Sequence, residues 1–180
     1  MNTRKFCGFS LIELMVAVTI LAILVAFGIP SFQTWTGNLE IRNLAQSIQD
    51  GLRLAQIEAT KRNTQVDFVM TADDLIASPN STSPTAINTG TSWIVRQGSN
   101  FIQGKSKKQG SLSATITPTP NTFDGIVSFN GLGRTLLSNN VTLQINSSKG
   151  DRPLQVQISV GGKIRMCNPI FSAGDPQACN

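Results

Sequence analysis

Two hydrophobic patterns divide the chain near residue 63. Residues 9–29, FSLIELMVAVTILAILVAFGI, form an apolar run that carries a single charge, Glu13. About 20 apolar residues are enough for a helix to span the hydrocarbon core of a bilayer. The run is also longer than the apolar region of a secretory signal peptide, and the small residue Gly8 comes before it rather than after it. It therefore predicts a transmembrane helix.

The helical pattern continues beyond this run. Between residues 30 and 62, apolar side chains recur three or four positions apart, which is typical of one buried face of an α-helix. These residues are Leu44, Ile48, Leu52, Ala55 and Ala59. Because glycine has a low helix propensity, Gly37 and Gly51 are expected to weaken the helix locally and to bend or melt its first half. We predict an amphipathic continuation of the membrane helix over residues 30–62.

After residue 63 the pattern changes to a period of two. Residues 154–160, LQVQISV, alternate strictly, which indicates a strand with one buried and one solvated face. The predicted strands are Gln65–Met70, Ser92–Arg96, Ser111–Thr117, Gly125–Asn130, Val141–Asn146, Leu154–Val160 and Lys163–Cys167. Gly161 and Gly162 predict a tight hairpin in which both glycines adopt positive φ.

These elements together predict an α+β fold. A long N-terminal α-helix packs on a C-terminal antiparallel β-sheet or sandwich head, which comprises residues 63–180. Residues 77–92, ASPNSTSPTAINTGTS, are nearly all small, polar or turn-forming and predict an exposed loop in this head. A solvated connection, a glycosylated loop and a loop that contacts a partner are all compatible with this composition.

The composition argues against most enzymatic chemistry. The 180 residues include no His, which is the commonest general base and metal ligand, and the three Cys form no CxxC pair. The chain has no glycine-rich phosphate loop of the Walker or Rossmann type. We therefore predict a protein that is not an enzyme and that needs no metal or cofactor.

The segment ahead of the apolar run indicates topology. Residues 1–8, MNTRKFCG, contain Arg4 and Lys5. Positive charges beside a membrane span favour the cytoplasmic side, so the head is expected on the opposite side. Glu13 is unusual because a carboxylate within a membrane helix costs a few kcal/mol and generally marks a functional position.

Residues 8–14, GFSLIEL, resemble the N-terminal signal of type IV pilins and type II secretion pseudopilins. The resemblance implies that a prepilin peptidase removes residues 1–8 by cutting after Gly8 and methylates Phe9. It also implies that Glu13 pairs with the N-terminal amine of a neighbouring subunit, and an ammonium and a carboxylate buried together do offset each other's desolvation. The implied location is the bacterial inner membrane, with one membrane span and a periplasmic head, followed by assembly with other pilins.

Two later segments resemble the GspH/FimT family of minor pilins. Residues 126–134, IVSFNGLGR, are similar to its apolar-x-Phe-x-x-x-Gly-Arg segment. Residues 162–167, GKIRMC, are similar to the Gly-[Arg/Lys]-x-Arg-x-Cys segment of FimT-type members. The resemblance implies DNA binding during natural transformation through Lys163 and Arg165. Two positions apart on the predicted strand, these side chains are expected on one face.

The charge distribution extends this hypothesis. Residues 96–165 hold nine Lys or Arg against two Asp, whereas residues 9–95 hold four basic against seven acidic residues. Such a surface attracts phosphate backbones, although a solvated surface with lysines at strand edges is the plain alternative. Lys149 and Arg152, together with Lys105, Lys107 and Lys108, extend the predicted patch.

We therefore expect duplex DNA to bind through its phosphates without sequence preference. Two other functions fit the same sequence. One is a purely structural subunit that initiates a pilus, and the other is pseudopilin H of a type II secretion system.

The cysteines favour an oxidising compartment. Because Cys7 lies in the predicted leader, Cys167 and Cys179 remain as an even pair in a domain that is expected to be periplasmic. We predict a disulfide between them, with two free thiols as the alternative.

Overall fold

The computed structural model describes residues 10–73, 84–109 and 112–179. Helix α1 spans Leu11–Arg62 and precedes the strands along the chain. The strands are β1 (Val66–Thr71), β2 (Ser92–Gln97), β3 (Asn100–Lys105), β4 (Ala114–Thr119), β5 (Ile126–Phe129), β6 (Val141–Ser147), β7 (Leu154–Ile158) and β8 (Ile164–Cys167).

Capping interactions define both ends of α1. Ser10 has extended backbone angles, and its hydroxyl accepts a hydrogen bond from the Glu13 N–H at 3.3 Å. This is the N-cap arrangement that satisfies one of the unpaired amides of a first helical turn. At the other end, Asn63 adopts the left-handed conformation with φ 49°, and its N–H donates to the Thr60 carbonyl at 3.3 Å. The left-handed residue ends the helix.

The two halves of α1 have opposite surroundings. Apolar side chains from Leu11 to Val25 are exposed, and this is the part of the described chain that is long and apolar enough to cross a membrane. In the second half, the predicted stripe from Leu44 to Ala59 is buried against the strands, with each of its five residues at most 1% exposed. The buried stripe therefore has the three- and four-residue spacing of one face of an α-helix.

The helix is continuous through Gly37 and Gly51, so the expected melting of its first half is wrong. A Cβ at Gly37 would lie 2.5 Å from the backbone nitrogen of Gly150, and a Cβ at Gly51 would lie 2.7 Å from the Phe68 ring. Both glycines thus allow the close approach of another part of the chain. Packing against the head offsets their low helix propensity.

The head contains two antiparallel sheets of four strands each, in the orders β3-β2-β1-β5 and β4-β6-β7-β8. Phe68 and Phe129 from the first sheet and Leu143 and Ile145 from the second are fully buried in one cluster with the second half of α1. The predicted α+β fold with a helix on a β-sandwich head is confirmed.

Strand β3 was not predicted from the sequence. It is an edge strand paired with β2, and its residues are exposed or half-buried. An edge strand that buries neither face has no hydrophobic alternation to detect. Phe101 is the residue of β3 that packs against the small cluster around Val69 and Ile94.

Strand boundaries also differ from the prediction. Strand β4 starts at Ala114 rather than Ser111 and passes through Pro118 to Thr119. Proline is tolerated there because β4 is an edge strand, where a missing N–H breaks no ladder. Strand β7 ends at Ile158, so the expected tight hairpin is a wider turn, Ser159–Lys163, and of its two glycines only Gly162 has positive φ, at 92°.

The predicted exposed loop at 77–92 is only partly described, because residues 77–83 lie outside the described ranges. Its described part is more ordered than expected. Pro84, Gly90 and Ser92 are buried, Ala86 forms an isolated bridge with Thr71, and Ser92 starts β2. The expectation of full exposure is wrong for these residues. Small side chains also allow two backbone segments to pack closely, as Gly90 does against Thr71.

Candidate nucleic-acid interface

Two turns meet near the C-terminal end of α1. One is the turn Ser159–Lys163 between β7 and β8, and the other is formed by residues 130–135 after β5. Gln56 on α1 joins them, because its Nε2 donates to the carbonyl of Gly133 at 2.7 Å and to that of Gly162 at 2.9 Å. We call this end of the head the distal end, because it lies away from the apolar half of α1.

Further hydrogen bonds order both turns. Asn130 Oδ1 accepts from the N–H groups of Leu132 and Arg134, each at 3.0 Å. Thr135 Oγ1 donates to the carbonyl of Val160 at 2.9 Å and so links the second turn to the first. The segments 126–134 and 162–167, which carry the family resemblance, are therefore in contact although they lie far apart in sequence.

Glycine is required at residue 162 for this contact. Its φ of 92° belongs to the left-handed region, and a Cβ would collide with the carbonyl oxygen of Gly133. The same hypothetical Cβ would lie 3.4 Å from the Cα of Arg134. The backbones that carry Arg134 and Lys163 are consequently neighbours.

Arg134 and Lys163 are both exposed at this distal end. Lys163 lies just before β8 rather than on a strand, and its N–H donates to Ser159 Oγ at 3.0 Å. Arg134 was not predicted as a binding residue, although it is the last residue of the Phe-x-x-x-Gly-Arg segment, and that position was an available signal. Two adjacent cations on rigid turns can contact neighbouring phosphates of one nucleic-acid backbone.

Arg165 is half-buried and is bound to the C-terminal loop. Its Nη2 donates to the carbonyl oxygens of Ala178 at 2.7 Å and Pro176 at 3.3 Å. The predicted disulfide is present, with an S–S distance of 2.02 Å between Cys167 and Cys179, and it closes the loop that Arg165 contacts. The guanidinium therefore has a structural role in addition to its positive charge.

Lys149 and Arg152 lie at the other end of the head, which we call the proximal end. Asn38 on α1 holds their turn, since its Oδ1 accepts from the N–H groups of Asp151 and Arg152, each at 3.0 Å. Asn38 and Gln56 are separated by about 27 Å along the helix at 1.5 Å per residue. The structure thus does not bring Lys149 and Arg152 next to Lys163.

The remaining predicted residues are also distant from the distal end or lie outside the described ranges. Lys105 ends β3 at the edge of the other sheet, and Lys107 and Lys108 follow it. Glu13 is the third residue of α1 and is exposed in its apolar half. Gly8 and Phe9, the predicted processing residues, lie outside the described residues.

A long N-terminal helix with an exposed apolar half, packed through its second half on a β-rich head, defines a pilin-like protein. The prokaryotic N-terminal methylation motif matches residues 3–29, and the model of the family of type II transport protein GspH matches residues 44–162. The chain belongs to the GspH family.

The solved structures of one type IV minor pilin have the same fold. The type IV minor pilin FimU of Pseudomonas aeruginosa matches with a TM-score of 0.55 and 16% identity, over 81% of this chain and 99% of that chain. A second crystal form of FimU gives a TM-score of 0.52 and 16% identity, over 77% and 99%. The minor pseudopilin EpsH of the Vibrio cholerae type 2 secretion system gives 0.46 and 15%, over 73% and 99%. No curated protein matches the chain.

The resemblance to GspH/FimT-like minor pilins is thus confirmed. Membership in this family makes the chain a minor pilin or pseudopilin with a membrane anchor in its N-terminal helix. It also implies processing by prepilin peptidase and assembly with other pilins.

Proposed function

We propose that the chain is a minor pilin of a type IV pilus. In this proposal a peptidase cuts after Gly8 and methylates Phe9, and the apolar half of α1 spans the inner membrane once, with the head in the periplasm. Glu13 then pairs with the N-terminal amine of a neighbouring subunit in the filament. The methylation motif over residues 3–29 and the exposed apolar half of α1 support this arrangement.

We propose further that the head binds duplex DNA nonspecifically for uptake in natural transformation. The observation that carries this proposal is the adjacency of Arg134 and Lys163 on two turns that Gln56 holds together. Both cations are exposed at the distal end, where the membrane and the packed half of α1 do not block a duplex. Arg165 adds a third positive charge on the neighbouring strand.

The test is a titration of the full chain, in nanodiscs of uncharged phosphatidylcholine, with short duplex DNA at several salt concentrations. Two or three phosphate contacts predict a log–log salt slope of about −2 to −3. Replacing Arg134 or Lys163 by Gln should weaken binding to all sequences equally and reduce the slope by about 1 each. A chain that binds no duplex at low salt would instead be a purely structural pilus subunit.

Arg165 requires a separate control because it also holds the C-terminal loop. Arg165→Gln should loosen this loop, and reduction of the Cys167–Cys179 disulfide should loosen it as well without removing a charge. If reduction alone abolishes DNA binding, the loop conformation is needed. If only Arg165→Gln weakens binding, the guanidinium contacts DNA directly.

Lys149 and Arg152 are the second pair that the sequence assigned to DNA, and Gln at both positions tests that assignment. A loss equal to that of the distal variants would mean that the interface follows β7 from one end of the head to the other. Strand β7 and its flanking residues span about 20 Å at 3.3 Å per residue. An unchanged affinity would confine DNA to the distal end.

The processing and assembly steps have their own test. Gly8→Ala should leave the leader attached, and normal maturation of this variant would contradict the proposed cleavage site. Glu13→Ala should be processed normally but enter filaments poorly, because the N-terminal amine of the neighbour is then buried without a partner. Immunoblots of membrane and filament fractions measure both outcomes.

The second candidate is pseudopilin H of a type II secretion system. The family match over residues 44–162 favours it, since that family is described as a type II transport protein. Deletion of the gene distinguishes the two candidates. Loss of pili and of transformation would support the type IV assignment, whereas intact pili with failed release of secreted proteins would support the pseudopilin.

A further inference from the structure

The segment of α1 just after its apolar half carries two exposed aromatic residues. Phe32 is 62% exposed and Trp35 is 57% exposed, and their ring centroids are 5.7 Å apart. Exposed tryptophan immediately beyond a membrane span is typical of the headgroup region, because the indole has an apolar body and a polar N–H.

The turn that carries Lys149 and Arg152 is bound to α1 less than one helical turn beyond Trp35. Asn38 accepts hydrogen bonds from two backbone N–H groups of the turn. It follows Trp35 by three residues, which is about 4.5 Å along the helix. Gly37 allows the turn to lie against α1. Both cationic side chains are exposed, and no side-chain partner occurs for either of them among residues 10–73, 84–109 and 112–179.

The acidic groups at the same level of the helix are already bound by the protein. Asn38 Nδ2 donates to Asp151 Oδ1 at 2.8 Å. The carboxylate of Glu40 accepts from the N–H and the hydroxyl of Ser113. Asp151 keeps its negative charge, so residues 149–152 carry a net charge of +1. Lys149 and Arg152 are the charged side chains of this turn that no hydrogen bond or ion pair holds among the described residues.

We propose that Trp35, Lys149 and Arg152 form an interfacial collar that seats the head on anionic phospholipids. Trp35 lies among the headgroups, and the two cations contact the lipid phosphates beside it. The collar sets the depth of α1 and the tilt of the head before the subunit enters a filament. It rests on the proposed membrane insertion of the apolar half of α1 but not on the proposed binding of DNA.

Phosphates of DNA have the same chemistry as those of lipids, but the available space favours the membrane. The rise from Pro30 to Asn38 is about 12 Å, and the major groove of a duplex alone is about 12 Å wide. A whole duplex does not fit between this turn and the bilayer. The lipid headgroups extend about 5–7 Å beyond the hydrocarbon core. Their phosphates are therefore within one Debye length of the turn, which is about 10 Å at 0.1 M salt.

The depth of Trp35 is measurable because the chain has only two tryptophans. Trp93 is 4% exposed in the core of the head, where its Nε1 donates to Ser47 Oγ at 2.8 Å. The full chain and its Trp35→Phe variant are inserted into vesicles with lipids brominated either near the headgroup or deep in the acyl chain. The difference between the two proteins isolates Trp35.

We expect shallow bromines to quench Trp35 more strongly than deep ones, and both to leave Trp93 nearly unquenched. Equal or stronger quenching by deep bromines, or no quenching at all, would overturn the interfacial position. If Trp35→Phe fails to fold, Trp93→Phe leaves Trp35 as the single emitter and gives the same comparison.

The cations are tested by energy transfer from Trp93 to a lipid with a dye on its headgroup, in the Trp35→Phe background. The vesicles contain either phosphatidylcholine alone or phosphatidylcholine with phosphatidylglycerol. We expect higher transfer in the anionic vesicles, and we expect the increase to disappear at high salt and in the Lys149→Gln/Arg152→Gln variant. The matched control, Arg53→Gln/Lys61→Gln, removes two exposed charges farther along α1 and should keep the increase.

Three outcomes would contradict the collar. Transfer could be identical in neutral and anionic vesicles. The control variant could lose the increase to the same extent, which would indicate a general effect of net charge. Finally, the Lys149→Gln/Arg152→Gln variant could lose DNA affinity while its transfer stays unchanged, which would assign the turn to DNA rather than to lipid.

Discussion

The two ends of the head use the same structural device in opposite surroundings. At the proximal end, Asn38 of α1 binds the turn between β6 and β7, and at the distal end Gln56 binds the turn between β7 and β8. Each amide fixes a turn that carries cations, and each turn approaches its neighbour through a glycine, Gly37 or Gly162. The proximal end of the head lies toward the apolar half of α1, whereas the distal end lies away from it.

The comparison shows that basic residues close in sequence do not necessarily form one surface. Arg152 and Lys163 flank a single strand, and yet the helix contacts of their turns are about 27 Å apart. Arg134, which is distant in sequence, is the cation that lies beside Lys163. A charge count over residues 96–165 therefore combines several separate surfaces, since Lys105 lies at the edge of the other sheet. We propose different phosphate partners for the distal and the proximal surface.

The largest effect is expected from closing the glycine contact at the distal end. Gly162→Ala places a Cβ against the Gly133 carbonyl and imposes an unfavourable φ, so the free energy of unfolding should fall by about 3 kcal/mol. Gly161→Ala is the matched control, because its Cβ would meet only Ser159 Oγ at 3.8 Å. Urea denaturation of both variants measures the difference, and equal stabilities would refute the requirement for glycine.

A smaller effect is expected from removing the two amides, and it should differ between the ends. Gln56→Leu leaves two part-buried carbonyls without their donor, so we expect a loss of about 2 kcal/mol. Asn38→Ala removes exposed hydrogen bonds that water can replace, so we expect a loss of about 1 kcal/mol or less.

Hydrogen exchange assigns these losses to one end or the other. The turn Ser159–Lys163 should exchange faster only in Gln56→Leu, and residues 148–152 should exchange faster only in Asn38→Ala. Faster exchange at both ends in either variant would mean that the two turns are coupled through α1 rather than held independently.

The smallest effect concerns pH and the last turn of α1. The hydrogen bond from Arg62, with Nε 2.7 Å from Glu58 Oε2, lowers the pKa of Glu58 below its usual value. A carboxylate whose pKa is lower in the folded than in the unfolded state stabilises the fold at pH values above the unfolded pKa. This contribution is lost as the pH falls through the folded pKa.

We therefore expect Glu58→Gln to be slightly less stable than the parent near pH 7 and equal to it at strongly acidic pH. The Arg62 side chain is 40% exposed, so salt screens the pair and the difference should also shrink in high salt. Thermal melts at several pH values measure this. A difference that grows toward acidic pH would contradict the assigned direction of the pKa.

Local patterns predicted the parts of the fold that depend on neighbours along the chain. The spacing of Leu44, Ile48 and Leu52 follows the helical repeat, so the buried face of α1 was readable without the structure. Strict alternation likewise predicted β6 and β7. Strand β3 escaped because an edge strand gains its stability from backbone pairing with β2, which leaves no mark on side-chain polarity.

Only part of the candidate site could be predicted, because local patterns do not record contacts between distant parts of the chain. Lys163 was identified through its short motif, but its contact with Arg134 depends on two turns that meet across the head. The separation of Lys149 from Lys163 was in principle readable, since the predicted strand between them must carry its two ends apart. The bond from Arg165 to Ala178 needed the closed C-terminal loop and was not readable.

By itself, the sequence determined the apolar span, the amphipathic helix, the β-rich head and the pairing of Cys167 with Cys179, because these follow from local periodicity and from the parity of the cysteines. Only the tertiary structure decided which cations share a surface and that Gly37 and Gly51 do not interrupt α1. These properties depend on long-range contacts, whose free energy outweighs the local preferences that a sequence pattern records.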